Sequence, residues 1–168
     1  MIAIFDVQYE PDRACAACVV ATDWVAVTPA AAVARVLPVA QPYVPGQFFL
    51  RELPPLLSLI DELELAPGAP LVVDGYVWLE DERAGLGGHL FERLGREHPV
   101  VGVAKSEYAG APAQRVVRGR SSRPLFVTAA GVDPAQAAES VRVMHGEFRI
   151  PTLLKEADRL ARRFQDAG

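Results

Sequence analysis

The chain has 168 residues, the length of one ordinary domain, and 51% of them are hydrophobic, which supplies a core and excludes an intrinsically disordered protein. Its apolar runs are short and broken by proline, glycine or charge, so none approaches the ~20 residues of a membrane-spanning helix. The net charge of −4 argues weakly against a nucleic-acid partner. The charge is uneven, however. Residues 1–100 carry 6 Lys and Arg against 14 Asp and Glu, whereas residues 101–168 carry 11 against 7.

An acidic half beside a basic half is expected of a metal centre next to a phosphate-binding surface, and it also arises by chance. Cys15 and Cys18 have the C-x-x-C spacing of redox and zinc proteins. A redox motif would need a strand-to-helix context, and a zinc site would need a second Cys/His pair; the sequence shows neither. We therefore expect buried structural thiols and a cytoplasmic protein. Residues 1–6 lack a basic flank and reach an acid at once, which predicts a strand and not a signal peptide.

The first elements in chain order are three closely spaced strands, which predict an antiparallel meander over residues 2–9, 16–21 and 24–28. Residues 38–46 are rich in proline and predict a stiff loop. Apolar residues then recur at helical spacing over residues 50–65, and a Pro-Gly-Ala-Pro turn at 67–70 ends that helix.

Strands and helices alternate in the remainder. The apolar runs predict strands at 71–74 and 100–103, a helix at 85–96 and a β pair at 115–118 and 125–128. Asp133 and Pro134 are typical of a helix start, and Pro151 opens the last helix, which extends through Arg163. This order predicts one α/β domain over residues 1–168. We expect a ribonuclease H-like mixed five-stranded sheet, an antiparallel meander plus parallel strands flanked by helices, although flavodoxin-like sheets share much of the order.

Four acids fit a metal centre, because hard cations such as Mg²⁺ take carboxylate oxygens at strand ends and helix starts around a cleft. Asp6 and Asp74 each follow a buried apolar run, where a charge is costly unless paired. Glu52 lies in the first turn of the first helix, and Asp158 lies on the last helix. Each acid alone is also explained as a turn former, a helix cap or a solvated residue.

The neighbours of these acids resemble the motifs of the endonuclease V family over nearly the whole chain. F-D-V-Q-Y at 5–9 resembles its first strand, and P-Y-V-P-G at 42–46 with R-E at 51–52 resembles its P-Y-[IV]-P-G-x-[LF]-x-x-R-E segment. V-D-G at 73–75, G-L-G-G-H-L at 85–90 and R-I-P at 149–151 with Asp158 follow in the family's order. V-G-V-A-K-S at 101–106 is similar to the family's I-G-V-A-K-S and is the most specific piece with P-Y-V-P-G.

The resemblance implies a metal-dependent endonuclease that cuts DNA, or in some members RNA, near deaminated bases such as inosine. It implies that Asp6, Glu52, Asp74 and Asp158 hold Mg²⁺ or Mn²⁺ and that Lys105 stabilises charge at the scissile phosphate. Tyr43 would be a strand-separating wedge, for which a rigid aromatic loop is suited, or would pack on its own prolines. The pocket for the extruded base would be lined by Gly46, Phe48 and Gly75.

A basic cluster in the second half is the candidate phosphate-binding surface, with a solvated loop as the alternative; it comprises Arg115, Arg118, Arg120 and Arg123. Against the family pattern, Val77 replaces a glycine and the acids at 80–82 replace His-Pro-Arg. We expect Val77 to narrow the base pocket and the acids to repel phosphate. His89 either supports the site or packs.

Other functions remain open at this point. One is a nuclease of the same architecture with another target, such as a mismatch, a flap or a single strand. Another is a nucleic-acid-binding protein that has lost catalysis, against which the four acids argue, because they would repel nucleic acid without serving it. We expect nucleic acid, DNA or RNA, as the partner, no membrane association, and a monomer.

Overall fold

The computed structural model describes residues 1–38 and 49–163, and its centre is one mixed sheet of seven strands. The strands are β1 (Ile2–Tyr9), β2 (Arg13–Ala21), β3 (Ala31–Pro38), β4 (Leu71–Asp74), β5 (Val100–Ala104), β6 (Gln114–Val116) and β7 (Leu125–Ala130). Their order across the sheet is β3-β2-β1-β4-β5-β7-β6. Only the central pairs β1–β4 and β4–β5 are parallel. The sheet has seven strands and not the predicted five, since the β6–β7 pair joins it beside β5.

Four helices cover the two faces of the sheet: α1 (Phe49–Asp61), α2 (Leu86–Arg93), α3 (Pro134–Val143) and α4 (Thr152–Arg163). One apolar core lies between the sheet and α1 and α2, and the other lies between the sheet and α3 and α4. The central strands are therefore buried on both faces and read as continuous apolar runs. No helix within the two described ranges is long and apolar enough to cross a membrane.

The third strand lies seven residues later than predicted. Residues 24–28 form a turn, in which the Asp23 carboxylate accepts a hydrogen bond from the Val25 amide at 2.9 Å. The strand itself is rich in alanine, which has low strand propensity, and it is a half-exposed edge held by β2. Pairing with a neighbour, which sequence propensity does not report, decides its place.

The helix predictions hold with shorter ends. α1 stops at Asp61, because the amides of Glu62 and Leu63 bond three residues back and tighten the last turn. The predicted cap of α3 is confirmed: the Asp133 carboxylate accepts from the amides of Ala135 and Gln136, both at 3.0 Å. The cysteines are free and buried in β2, as expected, and burial raises the pKa of both thiols, that of Cys18 to about 12, which disfavours the reactive thiolate.

Glycines allow the segment after β4 to cross over β5. A Cβ added at Gly102 would lie 2.6 Å from the Gly75 carbonyl oxygen and 2.9 Å from the Val77 nitrogen. On the other side, added Cβ atoms at Gly85 and Gly88 would lie 2.4 and 2.6 Å from the carbonyl oxygens of residues 76 and 77. Residues 75–77 are thus held between the two glycine-containing motifs.

Val77 lies in this crossing and not in a pocket wall. Its side chain is fully buried in the core under α1 and α2, and its amide donates to the Thr128 hydroxyl at 2.8 Å. The expectation that Val77 narrows a base pocket is therefore wrong: its side chain points into the core, and its backbone is held by hydrogen bonds.

We expect Gly102→Ala to lower the free energy of unfolding by roughly 1–3 kcal/mol, because the new methyl group overpacks against fixed backbone atoms. Urea denaturation measures the change. Gly68→Ala is the control, since Gly68 has φ +74° but open space around it. The free energy of unfolding of Gly68→Ala should fall by only about 1 kcal/mol, because of backbone strain. The cavity beside residue 75 should be unchanged in this variant. A Gly102→Ala protein as stable as the wild type would contradict the close crossing.

Candidate active site at the carboxyl ends of the central strands

The register of β1 and β4 places Asp6 beside Asp74. Phe5 pairs with Val73, so the next residue of each parallel strand is an aspartate. Side chains alternate along a strand, and Ile4 and Val72 face the core under α3 and α4. Asp6 and Asp74 therefore point to that same face, at the place where the pairing of the two strands ends. The two aspartates are thus neighbours across the β1–β4 pair, and their role as metal ligands stays a prediction.

Lys105 directly follows β5, the next strand of the sheet. Its ammonium lies 2.7 Å from the Asp74 carboxylate, and about half of each side chain is exposed. Burial opposes the charge of the ammonium, but the hydrogen bond to Asp74 and the charges of Asp6 and Asp158 outweigh it and raise the pKa of Lys105. Lys105 is thus charged and held at the aspartate pair.

Asp158 reaches the same place from α4. The Gln8 side-chain amide donates to Asp6 at 3.0 Å and lies 3.5 Å from Asp158, so it links the two acids. Arg162, one turn along α4, pairs with Asp158 at 3.0 Å. Gln8 was not predicted; its position two residues after Asp6, on the same face of β1, is the signal that identifies it.

Glu52 approaches from α1 on the other face of the sheet. Burial, and then the charges of Asp74 and Asp6, raise the pKa of Glu52 to about 8. Burial likewise raises the pKa of Asp6, with Asp74 and Asp158 adding to the effect against the hydrogen bond from Gln8. Burial is thus the main cause of both shifts, and the neighbouring carboxylates add to it.

Two cavities meet at the aspartate pair, since Asp6 and Asp74 line both. The larger, of about 710 Å³, extends towards Glu52, Gly75 and His89. The smaller, of about 300 Å³, lies against α4 and is lined by Lys105 and Asp158. Gly75 has φ +115° and no side chain, so its backbone forms the wall of the larger cavity without obstruction. The larger cavity has the size of a small-ligand pocket.

The donor chemistry suits a hard cation, because every candidate ligand is a carboxylate. In the described part of the chain, however, no three His, Cys, Asp or Glu side chains stand close enough together to hold one ion. Two of the four acids form ion pairs with basic side chains instead: Asp74 pairs with Lys105, and Asp158 pairs with Arg162. Burial, with a smaller contribution from the neighbouring carboxylates, raises the pKa values of Asp6 and Glu52, and a bound cation would lower both.

The predicted basic cluster separates into different roles. Arg118 does not fit a phosphate contact, because it is only 5% exposed and its guanidinium donates to the carbonyl oxygens of Arg142, Met144, Gly146, Phe148 and Arg149. Arg115 is exposed, with an ion pair to Glu107 at 3.6 Å and a contact with the Phe126 ring. Arg120 and Arg123 are exposed between β6 and β7.

Two further predictions concern the edge of the larger cavity. His89 stacks on Phe49 with ring centroids 3.7 Å apart, and burial lowers its pKa, so it packs as a neutral ring in the cavity wall.

The acids at 80–82 form a short 3-10 helix, and Arg83 follows it and lines the cavity. Arg83, like Tyr76 in the same wall, was not predicted. Tyr43, Gly46 and Phe48 lie outside the described residues.

The sequence is similar to those of known endonuclease V proteins. The family model of endonuclease V matches residues 1–129, and so ends before α4. An endonuclease V of Streptomyces avermitilis is 32% identical over 180 residues, which cover 94% of this chain and 77% of that protein.

Solved structures show the same fold. The crystal structure of the endonuclease V of Streptomyces avermitilis is 31% identical, with a TM-score of 0.78 over 99% of this chain and 81% of that one. An endonuclease V of Ciona intestinalis, in complex with a 23mer DNA containing an inosine, has a TM-score of 0.83 at 20% identity. It covers 99% of this chain and 85% of that one, and at that identity it shows the fold alone. The ribonuclease H-like fold predicted from the element order is confirmed.

The raised pKa of Glu52 gives a stability prediction with a definite sign. The Glu52 carboxyl has a pKa of about 8 in the folded protein and 4.5 otherwise. Its ionisation therefore favours the unfolded chain as the pH rises above 4.5. The resulting loss of folding free energy is nearly absent at pH 4 and nearly complete at pH 8. We expect Glu52→Gln to raise the free energy of unfolding by roughly 1–3 kcal/mol at pH 8 in EDTA. Urea denaturation at pH 4, 6 and 8 measures this. Glu64→Gln, at an exposed position, is the control, and an equal effect of Glu52→Gln at pH 4 and 8 would contradict the prediction.

We expect Arg118→Gln to lower the free energy of unfolding by roughly 2–4 kcal/mol, because several buried carbonyl oxygens lose a charged donor. Arg120→Gln, at an exposed position, should change it by less than about 0.5 kcal/mol. Urea denaturation compares the two variants. A stable Arg118→Gln protein with weakened nucleic-acid binding would restore the phosphate role.

Proposed function

This chain belongs to the endonuclease V family, and we propose that it hydrolyses a phosphodiester bond near deaminated bases such as inosine, in DNA or RNA, with Mg²⁺ or Mn²⁺. That it is an endonuclease, a hydrolase, follows from the family. The observation that carries the proposal is the aspartate pair, Asp6 and Asp74, at the meeting point of two cavities. A nucleic-acid strand crossing that point would place a phosphate over the pair and a base in the larger cavity.

The metal ligands in this proposal are Asp6, Glu52, Asp74 and Asp158. A bound Mg²⁺ or Mn²⁺ would activate a water molecule and stabilise the leaving oxygen. A bound cation would also favour the charged form of Glu52, whose pKa burial raises to about 8 in the free protein. Gln8 keeps the Asp6 carboxylate in place by its hydrogen bond at 3.0 Å.

Lys105 is the proposed partner of the scissile phosphate. It lies one residue beyond β5 and 2.7 Å from Asp74, so its charge is already at the aspartate pair. Its ammonium has three donors, of which one serves Asp74. The other donors are therefore left to stabilise the charge that develops on the phosphate.

The proposed base pocket is the larger cavity. The Gly75 backbone forms part of its wall, and backbone groups are suited to the edge of an extruded base. Gly46 and Phe48 are proposed to complete the pocket, and Tyr43 is proposed as the wedge. Arg115, Arg120 and Arg123 remain proposed phosphate contacts. The single domain, the monomeric state and the cytoplasmic location stay predictions.

We expect cleavage near inosine when the protein is incubated with Mg²⁺ or Mn²⁺ and labelled oligonucleotides, single- or double-stranded, of DNA or RNA, each with or without one inosine. Asp6→Asn and Asp74→Asn should reduce the rate by at least roughly 100-fold, since changes in the mere supports of metal ligands already cost up to that factor. Asp61→Asn, at the exposed end of α1, is the matched control and should keep the wild-type rate.

The outcomes separate the alternatives. Cleavage that does not depend on inosine would replace the target with a mismatch, a flap or a single strand. Tight binding without cleavage would indicate a binding protein. Cleavage that survives both aspartate substitutions would overturn the metal centre.

A further inference from the structure

The larger cavity has a one-sided charge distribution. Three of the described residues that line it are carboxylates, Asp6, Glu52 and Asp74, and Arg83 is the one permanent cation among those residues. The backbone of a nucleic acid carries a negative charge at every nucleotide, so a strand that enters this cavity meets acids on one wall. Arg83, as the cation in the lining, is therefore the natural contact for a phosphate there.

Arg83 is held in position by two neighbours. Its Nη2 donates to the Tyr108 hydroxyl at 2.6 Å and lies 3.4 Å from the Glu80 carboxylate. Both contacts use the same nitrogen, whereas a guanidinium has five N–H donors. The donors on Nε and Nη1 remain for a ligand, in the fork arrangement that matches phosphate oxygens.

This wall is tied to the segment that follows β5. The Tyr76 hydroxyl donates to the Ser106 carbonyl oxygen at 2.7 Å and accepts from the Tyr108 amide at 2.9 Å. Gly110, with φ +82°, lets the two segments approach, because a Cβ there would lie 3.0 Å from the Glu80 Cβ. The wall that carries Arg83 is therefore joined to the segment that follows Lys105.

We propose that Arg83 binds a backbone phosphate of the nucleic acid at the larger cavity, and that Glu80 and Tyr108 position its guanidinium for that contact. The proposal rests on the proposed function and adds a second phosphate position to the one at Lys105. It also reverses the role expected of the acids at 80–82, because Glu80 neutralises and orients Arg83 and does not simply repel the substrate.

The test is the affinity for a fluorescent single-stranded DNA with one inosine, measured by anisotropy at several salt concentrations with Ca²⁺ in place of Mg²⁺. We expect Arg83→Gln to weaken binding about 3- to 30-fold and to reduce the slope of log K against log salt by about 0.7, the value for one lost phosphate contact on a single strand. Arg83→Lys should keep the charge but lose part of the affinity.

The matched control is Arg96→Gln. Arg96 is also ion-paired with a glutamate, Glu92 at 2.8 Å, but it does not line the larger cavity. Its substitution should leave the affinity and the salt slope unchanged. Arg83→Gln with wild-type affinity and slope, or with no larger effect than Arg96→Gln, would overturn the proposal.

Glu80→Gln separates positioning from repulsion. If Glu80 positions Arg83, the variant binds more weakly, and Tyr108→Phe, which keeps the ring, loses affinity in the same direction. Tighter binding by Glu80→Gln would show that Glu80 only repels phosphate and would overturn its positioning role.

The binding assay is independent of cleavage. A wild type that binds but does not cut with Mg²⁺ or Mn²⁺ contradicts the proposed function while the Arg83 comparison stands. A wild type that neither binds nor cuts overturns both.

Discussion

The parallel pairing of β1 with β4 is the constraint on which the site depends. It brings two aspartates from distant parts of the chain to adjacent positions on one face of the sheet, at the end of their shared ladder. The register therefore holds two carboxylates side by side. Lys105 and Arg162 form ion pairs with Asp74 and Asp158, the neutral Gln8 amide donates to Asp6, and burial raises the pKa of Glu52 to about 8.

Much of this arrangement was predictable from the sequence. Buried apolar runs that end in an acid identify Asp6 and Asp74, and the alternation of strands and helices places their ends at one edge. Helix starts are also readable, as the confirmed cap at Asp133 shows, because the cap is a local interaction within three residues. The motif at 101–106 has a physical basis as well, since only glycine at 102 lets residues 75–77 cross β5.

The features that sequence missed depend on long-range contacts. β3 is an alanine-rich edge whose strand state comes from pairing with β2. Arg118 resembles its exposed neighbours in sequence, and only the packing of the segment after α3 shows that its guanidinium is surrounded by carbonyl oxygens. Val77 was misjudged for the same reason, because its amide donates to the hydroxyl of Thr128, which lies 51 residues away.

The close contacts at Gly85, Gly88 and Gly102 clamp residues 75–77, and this has a consequence for the effect of substitutions in this protein. They fix one wall of the larger cavity through backbone atoms, with contacts that no side chain in the wall controls. The short helix at 80–82 lies beyond that clamp, and Tyr108 joins the two, because its amide donates to the Tyr76 hydroxyl and its hydroxyl donates to the Glu80 carboxylate. Substitutions there can alter the charge beside the larger cavity without moving the aspartate pair. The charge at that edge of the cavity and the geometry of the aspartate pair can therefore change independently of each other.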